Sequence, residues 1–338
     1  MQEHRTADIR DYLSLKYDIN INFITPVKNV LRINTESGDK CLKRVKYGKG
    51  HFLFILSAMN HLLEQGFESI IPFIPTNKGE LFIEYEGYYY FLTDWIKSRE
   101  CNYQNPVELR LAAVTLSKLH NASLDYKPVK NAEPRIYWGK WVEKFMARMD
   151  EMLSFRKIIT AKPNHTYFDK MYLEYFDYFY SQGASAIEHL KKSKYLELSK
   201  KESMKKGFCH HDYAHHNVLI TDDLKAFIID FDYCICDTRI HDLSSLIIRN
   251  MKHGNWNIER AQYIIDCYSR YGYLEEEEIP VINAFMEFPQ DFWQVGLQYY
   301  VEKQRWEENN FNKRLDNVIT DKIERQQFLD EFKDSIEI

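Results

Sequence analysis

No stretch of this 338-residue sequence approaches the roughly eighteen uninterrupted apolar residues that a bilayer-spanning helix needs. The opening MQEHRTADIRDYLSLKYDI lacks the apolar centre of a signal peptide, so synthesis in the cytoplasm is expected. A basic excess is missing too: the net charge of -5 argues against a nucleic-acid binder. Cysteine is sparse. The six residues Cys41, Cys101, Cys209, Cys234, Cys236 and Cys267 include no Cys-x-x-Cys pair, which favours reduced thiols over a disulfide framework. Internal repeats and low-complexity linkers are absent.

What remains is the composition of a soluble globular protein, 45% hydrophobic and 28% charged, long enough for two lobes. Its 24 Tyr and 21 Phe are read as aromatic core and surface tyrosines. Residues 6–18 read as a short helix. Extended stretches at Ile21–Thr25, Val30–Asn34 and Lys40–Val45 follow, the last two joined by the Ser37-Gly38-Asp39 turn. A helix is predicted from about Lys49 to Gln65, with Phe52, Leu56, Met59 and Leu63 at helical spacing and Gly66 as its stop. Leu81–Tyr85 and Tyr88–Thr93 flank Glu86-Gly87, a hairpin signal. The expectation is a five-stranded antiparallel sheet with one helix packed on it over about residues 20–96, within an N-terminal lobe of residues 1–96. A mostly helical part is expected over 97–338, with helices at 106–121, 138–155, 168–190, 258–272 and from about 280 onward, interrupted by a mixed segment at 207–243.

That mixed segment, FCHHDYAHHNVLITDDLKAFIIDFDYCICDTRIHDL, carries the chemistry. Val218–Ile220 and Ala226–Ile229 read as two short strands around the polar turn Thr221-Asp222-Asp223. Antiparallel pairing would bring Asn217, just before the first strand, to Asp230, at the end of the second, with Asp212 on the entering loop. Phosphoryl transfer needs a carboxylate for the Mg²⁺ that bridges phosphate oxygens, an amide oxygen to complete its coordination, and a separate carboxylate at the acceptor hydroxyl. Asp230 is thus read as the principal metal ligand, Asn217 as the second and Asp212 as the base.

His210-x-Asp212 followed by Asn217 and then Ile229-Asp230-Phe231 resembles the motifs of the aminoglycoside phosphotransferase and choline kinase superfamily. Trp138-Gly139-Lys140-Trp141, the HHDYAHHNVLI stretch and Phe288–Trp293 followed by Tyr299-Tyr300 look like segments of the kinase-like spore-coat family of endospore-forming bacteria, the CotS type. The likeness runs from about residue 25 to residue 330. It implies an α+β, two-lobed protein-kinase-like fold that uses ATP and Mg²⁺ and phosphorylates a hydroxyl of an unidentified small molecule or coat component. It also implies synthesis in the mother cell and assembly onto the spore coat beside other coat proteins; from charge and hydropathy, no nucleic-acid or membrane partner is expected. By the same resemblance Lys43 stands at the phosphate-binding lysine and Thr93-Asp94-Trp95-Ile96 at the adenine hinge. Asp242, with His210, would support the catalytic loop.

Three departures from the family pattern favour a second reading, a structural coat protein with little turnover. The first turn, Pro26-Val27-Lys28-Asn29, is not glycine-rich; His51 stands where the helix glutamate that pairs with the lysine is expected; and His211 replaces the glycine between His210 and Asp212. Other clusters are read as ordinary. His211 and His215 have the spacing of a helical zinc pair, but the segment runs directly into a strand. Cys234 and Cys236 are expected to pack on one side of a strand, Glu275–Glu278 to be a solvated helix start, and the lysines between Lys191 and Lys206 a solvated loop.

Overall fold

The computed structural model describes residues 2–338, and the side chains from residue 9 onward. Helix α1 (Gln2–Tyr17) leads into a sheet of five antiparallel strands: β1 (Ile21–Val27), β2 (Val30–Thr35), β3 (Gly38–Arg44), β4 (Ile83–Tyr85) and β5 (Tyr88–Asp94), in the order β1-β2-β3-β5-β4. Helix α2 (Lys49–Glu64) joins β3 to the segment before β4. The β4–β5 turn fits its sequence: Glu86 and Gly87 both take positive φ, which closes a two-residue hairpin whose twist matches that of the strands. Glycine is also what stops α2, since Gly66 has φ +75 one residue past the C-cap.

Strand alternation divides the sheet's two faces between two helices. Leu42, Tyr90 and Leu92 share a buried cluster with Ile9, Leu13 and Tyr17 of α1. The intervening Tyr89 and Phe91 stack instead on Phe52 of α2. The sequence led us to expect one helix on this sheet, and there are two. The α1 face is apolar enough to bury Leu13, Ile33, Leu42 and Leu92 completely.

A second, three-stranded sheet has the order β6-β7-β8, built from β6 (Ser98–Glu100), β7 (Val218–Thr221) and β8 (Ala226–Ile228), with Val218 opposite Ile228. The chain divides into two compact units. Unit 1 comprises residues 1–102, 126–135 and 215–234; unit 2 comprises 103–125, 136–214 and 235–338. The hairpin therefore groups with the small sheet, through the pairing of β6 with β7 and of Ile228 N–H with the Ser69 carbonyl.

Unit 2 is helical, with α3 (Pro106–Ala122), α4 (Trp141–Thr160), α5 (Tyr167–Lys192), α6 (Tyr195–Lys205), α7 (Ile240–Met251), α8 (Ile258–Ser269), α9 (Glu278–Glu287), α10 (Gln290–Tyr300), α11 (Glu308–Thr320) and α12 (Lys322–Ser335). Aromatic side chains form much of its core. Phe292 stacks on Tyr172 and Phe179, Phe288 on Phe145, Phe168 on Tyr299, and Trp141 on Tyr195. The aromatic landmarks of the sequence are thus largely packing residues. Arg325 ties the unit together by donating to the Glu287 and Phe288 carbonyls at the end of α9, where the helix dipole favours a cation.

Three local expectations are corrected. The lysine-rich stretch is the end of α5 and all of α6 rather than a loop, because Leu198 and Ser199 give that helix a buried face beneath its charges. Glu278 is buried rather than solvated: its carboxylate accepts from Arg239 at 2.6 and 2.9 Å. Cys234 and Cys236 lie in no regular strand. Residues 231–233 form a 3-10 turn, and isolated bridges Cys209–Ile235 and Ile136–Cys236 follow it. All six cysteines are free thiols.

Candidate active site

In unit 1 the site is built around Lys43. Leu42 points into the α1 cluster, so Lys43 emerges on the opposite face of β3. Its ammonium lies 2.7 Å from Asp230 Oδ1 and 2.7 Å from Asp232 Oδ1. Burial alone would pull the lysine pKa down; Asp232 and Asp230 outweigh it and hold the group above its ordinary value, fully cationic at neutral pH.

The local backbone explains how both carboxylates reach one ammonium. Ile229 donates to the Asn217 carbonyl at 3.0 Å and closes the β7–β8 ladder beside Asp230. Asp230 then takes a left-handed conformation, φ 65 and ψ 63, and the 3-10 turn of residues 231–233 brings Asp232 back beside it. Non-glycine residues in that region carry a cost and cluster where function fixes them. The turn is braced from outside. Arg135 donates to the Asp232 and Cys234 carbonyls, each at 2.8 Å, and the Tyr47 hydroxyl donates to Asp232 Oδ1 at 2.9 Å. Burial, then the negative charge of Asp232, push the Tyr47 phenol far above its usual range, so it stays protonated and acts as a donor. His51 on α2 sits with Nε2 3.4 Å from the Asp232 carbonyl.

At the sequence-predicted hinge, Asp94 forms an exposed ion pair with Lys40 at 2.7 Å. Trp95 N–H is committed to the Asp39 carbonyl at 2.9 Å, and the Arg32 guanidinium lies 5.1 Å from the Trp95 ring centre. The Ile96 carbonyl accepts from Ser98 Oγ at 3.2 Å. The β1–β2 turn closes tightly over Lys28-Asn29 without glycine, with Lys28 at φ 50 and ion-paired to Glu100 at 2.7 Å.

In unit 2 the residues are held by a buried carboxylate. Asp242, in the first turn of α7, is fully buried and accepts from the backbone N–H of His210 at 2.7 Å and of His211 at 2.9 Å. His120 Nε2 and His241 Nδ1 each lie 3.3 Å from it, and His120 Nδ1 is 2.8 Å from the Tyr268 hydroxyl. Burial would raise the Asp242 pKa, but hydrogen bonds from His120 and His241 win and hold it well below the usual carboxylate range. His211 has φ 69, so this position demands the left-handed region where the superfamily's glycine is at ease. Stacking on His241, with ring centres 4.5 Å apart, holds the histidine there. Asp212 Oδ1 accepts from Arg249 Nη2 of α7 at 2.8 Å, and the Asp212 carbonyl accepts from Ala214 N–H at 2.8 Å.

The oxygen-rich set in unit 1, two carboxylates with Asn217 beside them, has the hard-donor chemistry that Mg²⁺ requires. Zinc finds no such support among the described residues. Residues 215–217 form a 3-10 turn, so His211 and His215 share no helix. His120, Cys209 and Asp242 offer donor atoms within 4.8 Å of one another. The Cys209 thiol, however, points at the Asp237 and Thr238 carbonyls, and Asp242 is occupied by N–H donors.

Sequence reasoning missed Asp232, Tyr47, Arg135 and Arg249. The signal for Asp232 was present, a second aspartate two residues past Asp230. Nothing in the spacing of Tyr47, Arg135 or Arg249 marked them, because each arrives from a distant segment.

The family model described as "Spore coat putative kinase YutH" matches residues 10–332. Spore coat protein S of Bacillus subtilis (strain 168) is 24% identical over 336 residues, covering 97% of this chain and 95% of that protein. Among solved structures, an aminoglycoside phosphotransferase from Alicyclobacillus acidocaldarius superposes with a TM-score of 0.81 at 20% identity, covering 94% of this chain and 93% of its own. An amicoumacin kinase in complex with AMP-PNP and Ca²⁺ gives a TM-score of 0.65 at 14% identity, covering 100% of this chain and 98% of its own. At these identities the structural likenesses show the fold, an α+β kinase-like phosphotransferase fold with a small antiparallel sheet and a mostly helical remainder.

Proposed function

The chain belongs to the family of kinase-like spore-coat proteins, and from that premise we propose that it is a coat-associated phosphotransferase. It uses Mg²⁺-ATP to phosphorylate a hydroxyl of a small molecule or coat component. The observation that carries this reading is the Lys43–Asp230 ion pair at 2.7 Å, with Asn217 paired across the hairpin to Ile229, the residue before Asp230. Asp230 and Asn217 would hold the metal, which supplies neutralisation of the phosphate charge when bound. Lys43 would bind phosphate oxygens, with the Asp94–Ile96 segment beside adenine. Asp212, oriented by Arg249, would orient the acceptor hydroxyl and take its proton. His210 and Asp242 would fix the loop that carries Asp212.

Mother-cell synthesis, assembly on the spore coat and contact with other coat proteins belong to the same proposal. They draw support from the relative named as spore coat protein S.

Isothermal titration with Mg²⁺-ATP tests the reading. The wild type is expected to bind, and Asp230→Ala to lose most of that affinity because the charge that holds the metal is gone. Equal affinity in the two proteins would overturn the metal assignment. The glycine-free β1–β2 turn favours a second reading, a coat protein that keeps the fold without efficient turnover. Binding of Mg²⁺-ATP with no Asp212-dependent transfer or hydrolysis would decide for it.

A further inference from the structure

Kinases of this shape ordinarily hold the phosphate-binding lysine with a glutamate on the helix after its strand. Here α2 offers no such group, since His51 stands in its first turn and no acidic residue is found there. The lysine is nonetheless gripped, and from another direction. Asp232 Oδ1 receives both the Lys43 ammonium at 2.7 Å and the Tyr47 hydroxyl at 2.9 Å. The carbonyl of the same residue is fixed by Arg135 at 2.8 Å. The imidazole at the vacated glutamate position lies against that carbonyl, at 3.4 Å.

We propose that Asp232, braced by Tyr47 and Arg135, is the positioning residue that replaces the helix glutamate and aims Lys43 at the nucleotide phosphates. This deepens the phosphotransferase reading and rests on it. The alternative role for a carboxylate two residues from Asp230 is a further metal ligand. The hydrogen-bonding pattern favours the lysine: the Asp232 oxygen that meets Lys43 is also the one that Tyr47 fixes in place. An ammonium has three donors, so Lys43 can keep Asp232 while another N–H turns to a phosphate oxygen.

Two double-mutant cycles over wild type, Lys43→Met, Asp232→Asn and the double variant decide the matter. In the first, ADP binding is titrated with EDTA present, so that no metal contributes. Asp232→Asn is expected to weaken ADP about tenfold to a hundredfold, the worth of a charge-assisted contact. The double variant should bind no more weakly than Lys43→Met alone. Tyr47→Phe should weaken binding in the same direction by less. If Asp232→Asn keeps its metal-free ADP affinity and loses only the Mg²⁺-dependent part, Asp232 is a metal ligand and the proposal is wrong.

The second cycle unfolds the same four proteins in urea without nucleotide, where a Lys43–Asp232 pair makes the two substitutions strongly non-additive. Additive effects would overturn the pairing. Failure of the wild type to bind any nucleotide would bring down the phosphotransferase reading, and with it the nucleotide-aiming role, while this cycle still scores the ion pair itself.

Discussion

Two carboxylate clusters in this chain are built on opposite principles. In unit 1, Asp230 and Asp232 are 41% and 31% exposed at the side chain and share one lysine. In unit 2, Asp242 has no exposure and spends its oxygens on backbone N–H groups and two histidines. The first arrangement leaves charge that a ligand can engage. The second consumes its charge in holding a loop, and Asp212 on that loop is again partly exposed, at 28%. Position on a motif therefore does not tell a chemical carboxylate from a structural one; what each oxygen is bonded to does.

The sharpest way to break that comparison is to neutralise the two unit 2 carboxylates separately. Asp212→Asn should lower phosphoryl transfer or ATP hydrolysis by about 10²–10⁴-fold and leave the urea midpoint nearly unchanged. A rate equal to that of wild type would remove Asp212 from the chemistry. Asp242→Ala should instead cost about 3–5 kcal/mol of stability, since it strands two backbone donors and His120 in a dry interior. A chemical-denaturation midpoint like that of wild type would show that the loop holds itself.

Asp237 sharpens the contrast through pH. It is buried, with Trp141 Nε1 donating to it at 2.8 Å, and burial pushes its pKa up to about 6. The folded protein thus binds this proton more tightly than the unfolded chain. The resulting stability is fullest below about pH 4 and is lost as pH rises through about 6. Asp242, held low, acts with the opposite sign: its contribution is present above about pH 4 and lost on acidification. Urea midpoints between pH 4.5 and 7.5 should therefore fall less steeply in Asp237→Asn, with a gain of up to about 3 kcal/mol at neutral pH. Parallel curves for the two proteins would dismiss the buried proton.

The smallest effect is expected from His211→Gly. It relieves a left-handed residue, a cost of about 1–2 kcal/mol, and forfeits the stack on His241. The net change in thermal midpoint should correspond to no more than about 1 kcal/mol. A large loss would mean that the histidine ring, not the backbone turn, organises the loop.

The small sheet was legible because its signals were local. Alternating residues, Glu86-Gly87 and the stop at Gly66 each specify geometry over a few positions, and the β7–β8 hairpin followed from two apolar runs around a polar turn. Helix α7 was overlooked although Ile240, Leu243, Leu246 and Ile247 recur on one buried face, because the segment had been read for its aspartate instead. Helix α6 was hidden by its lysines, which crowd the exposed side. In the candidate site, Asp212, Asn217 and Asp230 are proposed from order and spacing, and Lys43 from the family resemblance. The partners that orient them could not. Arg249 lies 37 residues from Asp212, and Tyr47 lies 185 residues from Asp232. Such pairings are tertiary facts that no local window contains.

Both ion pairs of Lys43 end on the turn that carries Asp230, not on α2. In kinases whose lysine is tied to a helix glutamate, swinging that helix outward breaks the tie, and cells use the swing as an off-switch. Here the equivalent helix has no grip to release: its contact with this turn is a histidine at 3.4 Å from a carbonyl. Displacing that helix would therefore leave both ion pairs of Lys43 in place.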